Sequence, residues 1–551
     1  MAAPLDHIEA LKVEIANLEF QQEIFMHSPC TMDIDDMMDE MKTRDGQLNQ
    51  LRDRLHELMA VMPVTDVTSS EIHNLQTRSL ISCLPSEMLS SVFKKGPMDP
   101  SSRTDFALSV SQVSRFWRDT AMRTPFLWSG IYLQAWWTGR GSENFLKTLI
   151  QRSKSHPLDI AIRLRESDSP QYIAGMMAFR HPTPVSESHP PNISTDPPEL
   201  ETNHCLQAHL DVVIPEVSRW RCFTYCCDYP NDIFEVTERL AYLSSPILQS
   251  FSLEVPFRDL DGYECELNDV FQGGAPMLTD VYIDGIEPIM CLPPLSGVTS
   301  LCLKEGTEQM DGAEFLSMLR SLPVLVSLEF GGTVVRPEDL YELGLLGEGI
   351  DIATLRSFSF SADASPKYFI DGILNTIRGP ALESLTISNL DGFAGVQPIE
   401  LSSTKALPFS PFLTLRFLKL SGIDCVEFAE HFDFAHLPAL DNISLSRSQS
   451  PMALLRLLLP SNGRHDSDTV WPVLRVIAIS HLGPQEFDGL RQIILYRRAC
   501  GKPIEVLLFD PVSLKKFPEM VEWFKQHVTV QRGDRVHYHT PLTDFPILTQ
   551  G

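Results

Sequence analysis

The sequence predicts an α/β fold, a solenoid of repeated strand-loop-helix units, preceded by a small all-α module and an N-terminal helical segment with coiled-coil spacing. Three observations predict it. An apolar-x-x-apolar-x-apolar unit recurs ten times between Trp220 and Ile479, at about 28 residues per unit. Residues 80 to 133 hold three short stretches in which large apolar side chains fall on one helical face. Ahead of them, two runs space apolar residues by threes and fours.

The first run places Leu5, Ile8, Leu11, Ile15, Leu18 and Phe25 on a common seam, and the second places Leu48, Leu51, Leu55, Leu58 and Met62. Pro29 and an acidic cluster interrupt them. Each run covers about three heptads, near the minimum for a coiled coil. A self-associating seam, an intramolecular hairpin, and helices lying on the next module are the arrangements open to residues 1–62. Residues 63–78 are polar and β-branched and read as a linker.

In the module at 79–133, Pro85 suits a first helical turn, where its missing N–H is not needed, and Met88, Leu89, Val92 and Phe93 share a face. A second stripe holds Phe106, Val110, Val113 and Trp117, and must stop before Pro125. Phe126, Leu127 and Trp128 begin a third. Between Phe93 and Phe106 the stretch KKGPMDPSSRTD reads as a long polar loop. About fifty residues cannot bury all these side chains in a core of their own, so a partner or the following domain must cover them.

The Leu84-Pro85-Ser86-Glu87-Met88-Leu89 opening, the Val113 to Trp117 helix and Leu127-Trp128 resemble the F-box, which docks on the Skp-type adaptor of a cullin ubiquitin ligase. By that resemblance the adaptor-facing residues are Leu84, Pro85, Met88, Leu89, Val92, Phe93, Leu108, Val113, Trp117 and Trp128. The long loop departs from the commonest form of the family.

The recurring unit spans a domain at 134–530. Its triads include Trp220-Phe223-Tyr225, Leu248-Phe251-Leu253, Leu328-Phe330 after Leu325, and Leu474-Ile477-Ile479, and six carry Pro two residues before the first apolar position. Each triad predicts a short strand whose last two apolar residues point inward. Helical stripes at Phe315–Leu322, Phe369–Ile377 and Leu490–Arg497 fill the intervals. The pattern is similar to leucine-rich repeats, but the Asn or Cys usual three residues after the strand is replaced, for instance by Ile286, Gly306 and Leu390. The carbonyls such a side chain would satisfy need other partners, which predicts irregular turns and variable curvature. Residues 156–164 read as an atypical first repeat, 181–199 as a Pro-rich disordered insertion, 504–509 as a last strand, 520–527 as a last helix, and 531–551 as a tail.

Equivalent positions on neighbouring strands form columns. One reads Arg356, Glu383, Arg416, Asp441, Arg475, with alternating sign, as a structural ladder would. Another set, Ser357, Ser359, Ser384, Thr386, Ser388, Ser444 and Ser446, is small and nearly uncharged. Specificity for a target then falls to loops or the C-terminal end.

Forty-five basic against seventy-two acidic residues give a net charge of −27, with no basic run able to follow a phosphate backbone, which argues against nucleic acid as a partner. There is no apolar leader and no run long enough for a membrane span, so a soluble cytoplasmic or nuclear protein is expected. Eleven scattered cysteines imply reduced thiols. Cys222, Cys226 and Cys227 cluster without a second ligand pair, and His56-Glu57 lacks its second histidine, since position 60 is Ala. No metal, cofactor or catalytic constellation is expected.

The layout is similar to the F-box and leucine-rich-repeat proteins abundant in mushroom-forming fungi. That resemblance implies a substrate-recognition subunit of a Skp-cullin-F-box ubiquitin ligase that binds an adaptor and an unknown target protein. The competing expectation is an interaction scaffold whose F-box surface is buried and recruits no ligase.

Overall fold

The computed structural model describes residues 50, 84–134, 140–164, 199–227, 230–255, 269–286, 291–306, 309–346, 349–361, 369–388, 412–423, 425–431, 437–448, 450–459, 470–480 and 482–533. The N-terminal runs apart from Gln50, the linker and most of the tail lie outside them. Of the Pro-rich stretch only Glu199 is described, and it opens a helix. The chain divides into two units, residues 1–92 with 544–551, and residues 93–543.

Among the described residues, the second unit is built on one parallel sheet of fourteen strands, in the same order as the chain. They are β1 (Gly130–Gln134), β2 (Leu158–Leu164), β3 (Trp220–Cys227), β4 (Ser250–Glu254), β5 (Asp280–Asp284), β6 (Ser300–Lys304), β7 (Ser327–Gly331), β9 (Ser357–Ser361), β11 (Ser384–Ser388), β12 (Phe417–Ser421), β13 (Asn442–Ser446), β14 (Val476–Ile479), β15 (Val506–Phe509) and β16 (Thr529–Arg532). β8 (Ile350–Asp351) and β10 (Ile377–Arg378) pair separately. Parallel neighbours require a crossover, and several crossovers carry a helix. The stripes expected at 315, 369 and 490 are helices Gly312–Arg320, Phe369–Thr376 and Pro484–Ala499, and the last helix is Pro518–Lys525.

The register stacks the triads. Phe223, Phe251, Val281, Leu301, Leu328, Phe358, Leu385, Leu418, Ile443, Ile477 and Leu507 are successive partners. All are buried, and this column is the spine of the core. The alternation follows from the period of a strand, which sends residues flanking each inward pair to the opposite face.

The recurring proline has a local cause. The first apolar residue of each unit returns its N–H to the carbonyl three residues back, as in Leu278 to Ala275, Leu382 to Gly379 and Leu474 to Trp471, each at 3.0 to 3.1 Å. Pro276, Pro380 and Pro472 thereby occupy the second position of a β-turn, whose φ proline already has. The turn aims the chain into the next strand.

The missing Asn is replaced by backbone. After β5, β7, β12 and β13 the chain turns through left-handed residues Gly285, Gly332, Gly422 and Arg447. One further bond then links adjacent units, such as Val255 N–H to Asp284 O at 2.8 Å and Gly422 N–H to Ser446 O at 2.9 Å. Serine hydroxyls accept where a backbone partner is lacking, with Gly332 N–H on Ser361 Oγ at 2.9 Å and Arg447 N–H on Ser480 Oγ at 2.8 Å.

The sheet also begins earlier than the sequence reading has it. Trp128, Ile131 and Leu133 repeat the triad spacing, and β1 carries the last two into the core beside Ile160 and Ile162 of β2. The expected boundary at 133/134 falls inside this strand.

Candidate interaction site

Helix α1 (Ser86–Phe93) has Pro85 just before it, whose carbonyl accepts Leu89 N–H at 3.0 Å. Its four-residue spacing makes two faces. Met88 and Val92 are 57% and 54% exposed, whereas Leu89 and Phe93 are each 1% exposed. Pro85 is exposed and Leu84 half-buried.

In the second unit, α2 (Pro100–Val113) starts earlier than expected. Asp99 caps it, accepting Ser102 N–H at 2.9 Å, and Pro100 takes the first turn, so residues 100–105 are helix and the loop shrinks to 94–99. An Asp-Pro pair is a helix-start signal that the polar composition of the stretch obscured. The stripe through Trp117 is likewise two helices. Ser114, extended at φ −158°, ends α2 and caps α3 (Arg115–Met122) by accepting Trp117 N–H at 3.2 Å.

Phe93 packs edge-on against Phe106 and Trp117, with ring centroids 6.2 and 5.4 Å away. Leu108 and Trp117 are half-buried and Val113 is 60% exposed. Phe116 and Met122 on α3 and Met98 in the loop are also exposed, and the sequence reading missed them. Nothing in their spacing marks them, because exposure of an apolar residue depends on what the tertiary fold leaves uncovered.

Trp128 is the clear departure. The third helix is a single 3-10 turn (Pro125–Trp128) running into β1, and Trp128 is fully buried. Its Nε1–H donates to Ala121 O at 2.9 Å and the Arg152 guanidinium lies over its ring at 4.5 Å. In this chain's own fold Trp128 is a core residue, as are Leu89 and Phe93. Pro85, Met88, Val92 and Val113 are the expected residues left exposed.

Behind α2 lies a buried ion network. Arg103 Nη1 meets Asp159 Oδ2 of β2 at 2.7 Å, and Arg221 of β3 meets the same carboxylate through Nε at 2.8 Å and Nη2 at 2.5 Å. Burial opposes ionisation of Asp159, but the hydrogen bonds from Arg221 and the charge of Arg103 hold its carboxyl below the usual range. Burial and the neighbouring Asp159 push the Cys222 thiol up to about 12, which makes it inert as a thiolate.

The outward face of the sheet can be read row by row. The central row runs Tyr282, Cys302, Glu329, Ser359, Thr386, Lys419, Ser444. The serine positions expected to be neutral are therefore bracketed by charge, with Lys419 inserted by β12 and Glu329 standing before β9. Burial pushes the Glu329 carboxyl up, against the pull of Lys304 and Lys419. At the strand starts, the alternating column forms the expected ladder. Arg356 pairs with Glu383, and Asp441 takes Arg475 on both oxygens at 2.7 and 3.1 Å, with Arg416 3.8 Å away.

Asp232 is 2% exposed, with Oδ2 unpaired, and burial together with the charge of Glu235 raises its pKa to about 6. Among the described residues no group of three or more His, Cys, Asp or Glu could hold a metal ion, and no helix is long and apolar enough to cross a membrane.

No curated protein matches the chain. Residues 81–134 match the F-box-like family model, and F-box domains generally bind Skp-type adaptors. The match takes in α1, α2, α3 and the 3-10 turn and ends on the last residue of β1, so this chain carries an F-box-like region that runs directly into its parallel sheet.

Proposed function

We propose that this chain is the substrate-recognition subunit of a Skp-cullin-F-box ubiquitin ligase, with the F-box-like region on the adaptor and the leucine-rich-repeat-like sheet domain on a target protein. The observation that carries the reading is the exposure, within the F-box-like stretch, of Met88, Val92, Val113, Phe116 and Met122. Single exposed apolar side chains are ordinary, but grouped ones mark an interaction surface, and Met88 and Val92 stand four residues apart on one face of α1. The chain itself supplies no chemistry in this reading. It raises the effective concentration of target lysines near a separate enzyme.

The scaffold alternative requires this surface to be covered within the chain, and the exposure of these side chains counts against it. The test is capture by a purified Skp-type adaptor, comparing wild type with Met88→Asp and Val113→Asp. Both positions are exposed, so the variants keep the wild-type circular dichroism, and capture falls at least tenfold. Equal capture by all three, or none by wild type, removes the ligase reading.

A further inference from the structure

Arg103 lies inside the F-box-like stretch, yet its counter-charge comes from outside it. The side chain is 1% exposed. A guanidinium so buried costs several kcal/mol unless an opposite charge and hydrogen bonds compensate it. Asp159 of β2 supplies the charge and Arg221 of β3 clamps that carboxylate from its other side. Arg103 also donates to Ser129 Oγ at 3.3 Å and to the Met98 carbonyl, and lies 4.7 Å from the centre of the Phe126 ring.

Two neighbouring bonds tie the start of β1 to α2 on one side and to β2 on the other. Thr104 Oγ1 donates to Gly130 O at 2.8 Å, and Asp159 N–H donates to Ser129 O at 2.9 Å. No linker separates the parts, because Ser129 alone stands between the 3-10 turn and β1, and β1 pairs along its whole length with β2.

A network of two arginines on one carboxylate is a poor way to gain stability, since apolar replacements of similar volume often do as well. What it specifies is geometry, because a bidentate guanidinium-carboxylate pair tolerates little rotation. Arg103 Nε remains unpaired, which marks the arrangement as one not optimised for hydrogen bonding alone.

We infer that Asp159 and Arg221, which lie outside the F-box-like stretch, are positioning residues that hold α2 and α3 at one orientation to the sheet. Resting on the ligase reading, the inference adds that a target on the sheet is presented to the ligase at a constant distance and angle, so that few lysines come within reach.

The experiment uses the full chain as wild type, Asp159→Asn, and Arg221→Met as a milder change at a half-buried side chain. Amide hydrogen exchange of α2 and α3 is compared with that of β5 to β7. The chain's own lysines then serve as the probe substrate in a reconstituted adaptor-cullin reaction, with modified sites mapped by mass spectrometry. In Asp159→Asn, α2 and α3 exchange at least tenfold faster while β5 to β7 are unchanged, adaptor capture stays within twofold, and ubiquitin spreads over more lysines than in wild type. Unchanged exchange and an unchanged lysine set in both variants overturn the inference. If Asp159→Asn loses the circular dichroism of the sheet, Arg221→Met decides by the same readouts. Failure of the wild-type chain to bind adaptor removes the ligase reading alone, because the exchange measurement still decides the coupling.

Discussion

Trp117 and Trp128 have the same expected role in the sequence and different ones in the structure. Trp117 is half-buried against Phe93, whereas Trp128 is enclosed and hydrogen-bonded through its indole. Trp128→Ala therefore removes a core side chain and should cost about 3–5 kcal/mol in urea denaturation. Val113→Ala, at an exposed position, should change stability by no more than about 0.5–1 kcal/mol. Asp232 offers a pH test. Its folded pKa of about 6 lies above the ordinary 3.8, so the folded state holds the proton more tightly. Its contribution to stability is present below about pH 4 and is lost as pH rises through about 6, a fall on the order of 3 kcal/mol. Asp232→Asn should raise the melting temperature at pH 7 and match wild type at pH 4. Equal curves at both pH values would show that the carboxyl ionises freely in the fold.

Among the elements, the turns decide how strands succeed one another. Gly285 has φ +76°, and a Cβ there would run into the Val255 carbonyl oxygen of the preceding unit. Gly274 has φ +104° with open space around it. Gly285→Ala should cost about 2–4 kcal/mol, adding a clash to the backbone strain, and Gly274→Ala only about 1–2 kcal/mol. Similar losses at the two sites would show that the close approach of adjacent units is not what requires glycine. The charge ladder is weaker because its arginines are solvent-exposed. Glu383→Arg replaces attraction to Arg356 by repulsion and should lower stability by no more than about 1 kcal/mol, less at high salt. A melting temperature unchanged at low salt would mean that the pair contributes nothing.

At the scale of the whole molecule, net charge governs solution behaviour rather than fold. With a net charge of −27 and an isoelectric point near 5.0, turbidity should peak close to pH 5 and vanish by pH 8. A chain equally soluble at both would point to charge masked by association.

Much of the strand architecture is legible in the sequence alone. The triads, the prolines ahead of them and the charge column are local, periodic features, and each unit repeats the same inward alternation and the same turn. A one-residue slip anywhere would bring a whole inward set to the wrong face, so the pattern specifies its own register. The helix starts at Pro100 and Arg115 were less legible, because a cap is one side chain bonding two or three residues ahead and leaves no periodic trace. Beyond legibility from sequence lay the partners of Arg103, 56 residues from Asp159 in the chain, and the allocation of Leu89, Phe93 and Trp128 to the core rather than to a partner. Spacing alone determined which residues are apolar together on an element. Tertiary structure decided which of those faces the protein covers itself, since burial depends on neighbours brought from far along the chain and not on the pattern of the element that carries the residue.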